Sequence, residues 1–387
     1  MRTNTKHRSR ATFSFAFQRK NMKLRLTKAI TTPGMVESGC FLSRSWVTAA
    51  PAVINARSRK SKLGNFSSPP PSARLAISPH PCHSRGVKSQ FSIVDLKYGG
   101  KSLRSLEQGE TFHPGTGPMK EARLLHVEQQ QIQARAAAQK HFTIWDVGLG
   151  AAANALAAIK ALRESPAQVE IHSFDKTLAP LEFALQHASE LGYLVPHQHL
   201  LHTLVADRQV ECAPHIKWFL HLGDFRETMQ QGHSAPDAIF YDPYSPKGNQ
   251  EMWTLNHFTE LFRLLHPAQT TLLTNYTRST AVRVTLLRAG FFVGIGSVIG
   301  EKAETTIATN QLDLLEQPLN RQWLNRVVVS RNSAPMRDKT YRLAPIVEDD
   351  LAWLRRHPQF LGDDQGSPTA KSQKNLLYSY SRPMDRL

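Results

Sequence analysis

The sequence is short of cysteine, with three among 387 residues, Cys40, Cys82 and Cys212. Widely spaced and odd in number, they exclude a disulfide framework and a thiolate metal knuckle and suit a reducing compartment, the cytoplasm being the expected location. Long hydrophobic runs are also missing. No stretch approaches the ~18 consecutive apolar residues of a membrane-spanning helix, so no membrane partner is expected. Acidic residues are nearly absent from the first quarter, where residues 1–90 hold 17 Lys or Arg against one acid, Glu37. The formal net charge of +17 belongs to that segment, because residues 91–387 hold 31 basic and 30 acidic residues. A body so close to neutral neither demands nor forbids a polyanionic partner.

What is present is a composition with 41% hydrophobic residues, enough for a substantial core. Residues 1–90 mix basic residues, serine and proline without an apolar period and are expected to be disordered. A start codon placed too early, an organelle transit segment and a basic arm that grips RNA all fit that composition. Residues 91–140 form an opening segment, with two strands over 91–106 turning at Gly99-Gly100 and a helix over 120–139. From 141 to 310 strand and helix patterns alternate, which predicts an α/β core with a mostly parallel sheet and helices on both faces. The last two strands, ending at Ile295 and beginning at Thr305, are too close for a helical crossover and should pair antiparallel at one sheet edge. Residues 311–360 read as a helical extension around Trp323 and Trp353, and 361–387 as a polar tail.

Three acids end three successive predicted strands, and open α/β sheets bind ligands at the carboxyl ends of their strands. Asp146-x-Gly148-x-Gly150 lies between strand and helix, where glycine lets backbone approach a ligand and an acid suits a cationic amino group. Asp175 is placed to accept hydrogen bonds from ribose hydroxyls, and Asp224 to meet an adenine amino group. Each acid taken singly also fits a helix cap or loop. The most specific block runs from Asp242-Pro243-Tyr244-Ser245-Pro246-Lys247 to Trp253. There a strand ends in an acid, and a proline-stiffened loop exposes a ring that can pack on a flat base while Asp242 holds an amine. Two patterns are discounted. Gly294-Ile-Gly296-Ser-Val-Ile-Gly300 reads as strand and turn, and His197, His199 and His202 read as a solvated loop, so no metal is expected.

The order Gly148-x-Gly150-x-x-x-Asn154, Asp175-Lys176, the Asp242–Trp253 block, and Tyr276-Thr277-x-Ser279-x-x-Val282-Arg283 resembles the MnmC-like methyltransferase family. The upstream Gly109-Glu110-x-Phe-His113 is similar to that family's opening pattern, and Ser333-Ala334-Pro335-x-Arg337-Asp338 to the C-terminal element of its stand-alone members. The family's turn usually carries a third glycine where this chain has Ala152. The resemblance implies a class I S-adenosylmethionine-dependent (Rossmann-like) fold, with seven strands and one antiparallel edge strand. It also implies N-methylation of the aminomethyl group of wobble uridine in tRNA, in a form without the FAD oxidase half. On that basis Asp146, Gly148, Gly150, Asn154, Asp175, Lys176, Asp224 and Asp242 are expected at the cofactor. Asp242 and Tyr244 are expected to be catalytic, with Tyr244, Ser245, Lys247 and Trp253 at the substrate. A small-amine methyltransferase, an aminopropyltransferase-like enzyme and a non-catalytic nucleoside- or RNA-binding relative are the alternatives. Lys120, Arg123, Lys247, Arg278, Arg283 and Lys302 are the cations expected to border an RNA site.

Overall fold

Strand residues of this chain alternate between two cores. In β3 (His141–Val147) Phe142 and Ile144 pack into one and Trp145 and Val147 into the other. In β7 (Ala238–Tyr241) Ala238 and Phe240 oppose Ile239 and Tyr241 in the same way. A strand buried on both faces belongs in the middle of a sheet covered by helices, at roughly 1.5–3 kcal/mol for each large side chain removed from water. The computed structural model describes residues 89–299, 303–340 and 343–361, all on the C-terminal side of a division at Pro81–Cys82. The basic segment up to 88, the tail beyond 361, Gly300 and Lys302 lie outside the described residues.

A hairpin of β1 (Phe91–Asp95) and β2 (Lys101–Ser105) opens the described chain, turning at Gly99-Gly100 as expected. The predicted helix over 120–139 is interrupted. It runs Pro118–Ala122, continues as a π-helical turn Arg123–Glu128, breaks at left-handed Gln131 and resumes as Ile132–Ala137. The interruption aims two polar side chains at the sheet. His126 stacks on Phe240 and shares a 2.8 Å hydrogen bond with Thr274, and the Gln130 amide donates to the Ile239 carbonyl and to Thr274.

The main sheet adds β4 (Gln168–Asp175), β5 (Gln209–Ala213), β6 (Ile216–Leu222), β8 (Leu272–Asn275), β9 (Phe292–Gly296) and β10 (Thr305–Thr309). Its order is β5-β6-β4-β3-β7-β8-β10-β9, eight strands where seven were expected. β3, β4, β6, β7 and β8 run parallel, while β10 lies antiparallel between β8 and β9. The additional strand is β5, antiparallel to β6 with a bulge between Glu211 and Ala213. It has no fully buried residue, so its pattern carries little hydrophobic signal. Preceding it, the expected loop around His197–His202 is instead the helix Gln198–Asp207, which buries Leu201 and Leu204 and turns His199 and His202 outward. Gly294 sits inside β9, where a Cβ would come 2.8 Å from the Gln317 carbonyl oxygen, so its role is close packing. Among the described residues no helix is long and apolar enough to cross a membrane.

Successive connections leave β3 toward β4 on one side and return to β7 on the other, so the crevice beside β3 is the topological switch point of the sheet. Register aligns the ends that meet there: Val147 pairs with Phe174 and with Tyr241, and Asp175 with Leu222. The turns after β3, β4, β6 and β7 therefore emerge side by side.

The helix Thr280–Ala289, capped by Ser279 and stopped by left-handed Gly290, covers one face of the sheet. Its Arg283 corrects an expectation, because it is 2% exposed and bonded to Glu304, the Thr305 carbonyl and Thr306 Oγ1, out of reach of RNA. Arg278, by contrast, is exposed. Replacing Arg283 by Met should lower unfolding free energy by about 2–4 kcal/mol in urea titrations, since it strands buried acceptors. Arg278→Met should change it by less than about 0.5 kcal/mol.

Candidate active site

The turn after β3 is built on left-handed backbone. Gly148 has φ 93° and donates to the Phe174 carbonyl at 2.9 Å. A Cβ on it would lie 2.7 Å from the Asp242 carbonyl oxygen, so only glycine lets this turn touch the segment after β7. Gly150, φ 52°, donates its N–H to Asp175 Oδ2 at 2.9 Å. Ala152 stands where the third glycine was expected and lies in the left-handed region that favours glycine, with φ 65° and full burial. An L-residue there costs about 1–2 kcal/mol, which the surrounding packing absorbs. The helix Ala153–Leu162 follows, its small side chains letting it lie close against the sheet.

Asn154, in the first turn of that helix, donates to Asp242 Oδ2 at 2.9 Å. It was expected at the cofactor; the structure places it behind the Asp242 carboxylate, which it orients. His113 Nε2 stands 3.9 Å from the same oxygen. Asp146 was also expected at the cofactor, yet it is fully buried beneath the turn and does not line the cavity. It accepts from Ser173 Oγ at 2.7 Å, and Ser173 in turn accepts from Trp218 Nε1 at 2.9 Å. Burial, with Asp242 and Asp175 adding repulsion, pushes its carboxyl up to about 8. Asp146 is therefore a neutral support at pH 7 rather than a counter-ion.

The segment after β7 is held from three sides. Trp253 Nε1 donates to the Tyr244 carbonyl at 2.9 Å, and the Tyr276 hydroxyl to the Pro243 carbonyl at 3.0 Å. The Ser245 N–H donates to Glu110 Oε2 at 3.0 Å, and its hydroxyl bonds the other oxygen. Two substrate expectations are corrected here. Trp253 is fully buried in the core and Ser245 is tied to Glu110, so both shape the loop and neither lines the cavity. Lys247 is exposed outside that lining as well. Tyr244 does line it, edge-on to Phe112 at 5.6 Å, and burial holds its phenol protonated with a pKa of about 12.

Asp175 and Lys176 line the cavity at the end of β4. Burial raises the Asp175 carboxyl above its ordinary value, against the lowering effect of the Gly150 and Thr177 N–H groups. Asp224 lines it too, as the N-cap of the short helix Phe225–Thr228, with its carboxylate gripped by the Arg226 side chain. That grip holds its pKa below the usual carboxylate range.

These ends enclose a cavity of about 670 Å³, room for a nucleoside cofactor and part of a second molecule. Glu107, Glu110, Glu121, Asp175, Asp224, Asp242 and Glu251 line it, while Lys176 is the only Lys or Arg among its described lining residues. Such a wall favours cationic ligands. Glu110, Phe112, His113 and Tyr276 are site residues that the acids and glycines at strand ends did not reveal: the first three precede the main sheet, and Tyr276, directly after β8, is neither acid nor glycine; their only sequence signal was the family-like pattern at 109–113 and at 276.

Two outcomes follow from this geometry. Gly148→Ala should destabilise the fold by about 2 kcal/mol or more in urea, because the methyl must drive the β3 and β7 ends apart. Gly150→Ala meets the Phe112 ring at 3.1 Å, which can yield, and should cost less. The second concerns pH. With its pKa raised from 3.8 to about 8, Asp146 contributes its full stability below pH 4, and that contribution is lost as pH rises through 8. Thermal melts should show Asp146→Asn gaining on the unsubstituted chain between pH 5 and pH 9 by a few kcal/mol. A constant difference would contradict a neutral Asp146.

Comparison with known proteins agrees with this geometry. A family described as S-adenosyl-L-methionine-dependent methyltransferase matches residues 193–311. The chain is 29% identical over 223 residues to the "tRNA 5-methylaminomethyl-2-thiouridine biosynthesis bifunctional protein MnmC" of Ralstonia nicotianae, covering 53% of this chain and 32% of that protein. It is 31% identical over 202 residues to the protein of the same name from Aromatoleum aromaticum, covering 47% and 30%. The chain thus spans about a third of the length of these curated relatives. The crystal structure of MNMC2 from Aquifex aeolicus superposes with a TM-score of 0.54 at 28% identity, over 70% of this chain and 87% of that one. With the doubly wound sheet described above, these matches give the chain the fold of an S-adenosyl-L-methionine-dependent methyltransferase, similar to that of MnmC.

Proposed function

We propose that the chain methylates the aminomethyl nitrogen of a wobble uridine in tRNA. The observation that carries this reading is the acid-rich cavity with Asp242 and Tyr244 side by side at its wall. The name of the relatives, which refers to 5-methylaminomethyl-2-thiouridine, supplies the nucleoside.

The residues present fit S-adenosylmethionine. The left-handed turn at Gly148 and Gly150 exposes backbone at the cavity, Asp175 and Asp224 suit the ribose and adenine edges, and the acidic wall suits a cationic sulfonium and ammonium. When bound, the cofactor supplies a methyl group already activated on positive sulfur, so alignment and a deprotonated amine are what remain to be provided. An alkyl ammonium is no nucleophile until it loses its proton. The Asp242 carboxylate, fixed by Asn154, would take that proton, which leaves the nitrogen with a free lone pair to attack the methyl. Tyr244, neutral and braced by Phe112 and the Trp253 bond, offers its face to the base that carries the amine. Glu110 ties the opening segment to the 242–253 loop and fixes the mouth of the cavity.

Exposed Lys120, Arg123, Lys247 and Arg278 remain as phosphate contacts, although Arg123 also pairs with Glu128. The test is incubation of the full chain with S-adenosylmethionine and tRNA bearing 5-aminomethyl-2-thiouridine, followed by nucleoside mass spectrometry. One added methyl on that nucleoside is expected. No added methyl, with methylation of a free diamine instead, would replace tRNA by a small amine. Asp242→Asn should lower turnover by about 10²–10⁴-fold, while S-adenosylhomocysteine affinity changes by less than about tenfold, under 1.4 kcal/mol.

A further inference from the structure

Three histidines distant in sequence meet on the side of the sheet behind the β4–β6 end of the cavity. They are His172 on β4, His221 on β6 and His233 in the loop that follows the helix Phe225–Thr228. One ring nitrogen of each lies within 4.8 Å of the others. His172 Nδ1 and His221 Nε2 are 3.0 Å apart, and the His221 and His233 rings are 4.2 Å apart between centroids. His172 is buried, whereas His221 and His233 are partly exposed. None of the three lines the cavity or enters the methyl-transfer mechanism.

The outer nitrogens are already committed. His172 Nε2 donates to Glu170 Oε2 at 3.4 Å, and the same oxygen accepts from Ser234 Oγ at 3.0 Å. His233 Nε2 donates to the Thr228 carbonyl at 2.8 Å. A carboxylate and a carbonyl can only accept, so both imidazoles carry their proton on Nε2, and His172 Nδ1 and His233 Nδ1 present lone pairs. That is the arrangement that metal-bound histidines show: one nitrogen on the ion, the other donating to a carboxylate or backbone carbonyl that sets the tautomer. Burial also lowers the basicity of His172, and burial with mutual repulsion brings His221 down to about 4. His221 is therefore neutral at pH 7, the form that ligates.

We propose that His172, His221 and His233 form a binding site for one divalent transition-metal ion, with zinc as the reference occupant. Metal–nitrogen bonds of about 2.0–2.1 Å require the three nitrogens to stand roughly 3.3 Å apart in tetrahedral geometry. The His172–His221 pair is there already. From the 4.8 Å limit, closure needs a movement of about 1.5 Å at most by His233, which sits on a loop rather than a strand. In the metal-free state the His221 Nε2–H donates to His172 Nδ1; binding moves that proton to His221 Nδ1 and leaves His172 and His233 in the tautomers they have. Imidazole-only ligation suits zinc, nickel or copper over magnesium or calcium. The ion would brace β4, β6 and the 229–234 loop behind Phe174, which lines the cavity and packs against His221 at 4.8 Å and His233 at 5.4 Å.

The untagged full chain, stripped with chelator, is titrated with Co²⁺ while visible absorption is recorded, and with Zn²⁺ against a chromophoric chelator. One equivalent of Co²⁺ should bind with the intense bands of four-coordination, and Zn²⁺ with a dissociation constant of about a micromolar or tighter. Zinc should also raise the melting temperature of the unsubstituted chain. His221→Gln should weaken Zn²⁺ binding by about 100-fold and remove the melting shift, and His233→Asn, at a partly exposed loop position, should do the same. Both variants should still bind S-adenosylhomocysteine, which shows that they fold. His199→Gln, exposed on the helix 198–207, should leave binding unchanged. No cobalt bands and no zinc competition in the unsubstituted chain, or equal binding by the folded His233→Asn variant, would overturn the site.

Discussion

The site depends on the contact between the ends of β3 and β7. Asp242 donates its N–H to the Val147 carbonyl at 2.9 Å, the last rung between the strands, and Gly148 then lies so close to the Asp242 carbonyl that no side chain fits between them. From that contact the two halves of the site diverge. One branch runs through Gly150 to Asp175 and through Asn154 back to the Asp242 carboxylate. The other runs through Pro243 and Tyr244 to Trp253, Tyr276 and Glu110. Moving the two strand ends apart would displace Asp242 from the Asn154 amide as well as widening the cavity.

Electrostatics completes the arrangement. Carboxylates gathered around one cavity repel one another and resist ionisation, and the chain manages this in different ways. Asp146 is kept neutral by burial, Asp224 is neutralised by Arg226, and Asp175 is stabilised by N–H groups of the glycine turn and of Thr177. What remains is a wall with an excess of negative potential, which a sulfonium or an ammonium relieves. Binding energy for such ligands is thus stored in the folded site before they arrive.

Much of this was legible in the sequence, for a physical reason. Parallel strands carry uninterrupted apolar runs, and ligands meet the polar residues at their ends, so Gly148, Asp175, Asp224 and Asp242 announced themselves as acids and glycines closing hydrophobic segments. The antiparallel pairing of β9 and β10 followed from their short separation. Other features left no local signal. β5 buries nothing fully, so no alternation marked it. Trp253 and Ser245 share a motif with Tyr244, but sequence proximity could not tell a residue that shapes the loop from one that faces the ligand. Arg283 is cationic in sequence and buried in the fold. His172, His221 and His233 lie on separate elements, and only the strand order brings them together. Asp146 fitted its expected place in the chain and not its expected role, because full burial made it neutral.

A cofactor site in the crevice beside β3 is tested most directly by calorimetric titration of the full chain with S-adenosylhomocysteine. One site per chain is expected, with a dissociation constant of about 1–100 μM, or −8 to −5 kcal/mol. Absence of any heat of binding up to millimolar ligand, with the chain folded, would contradict it.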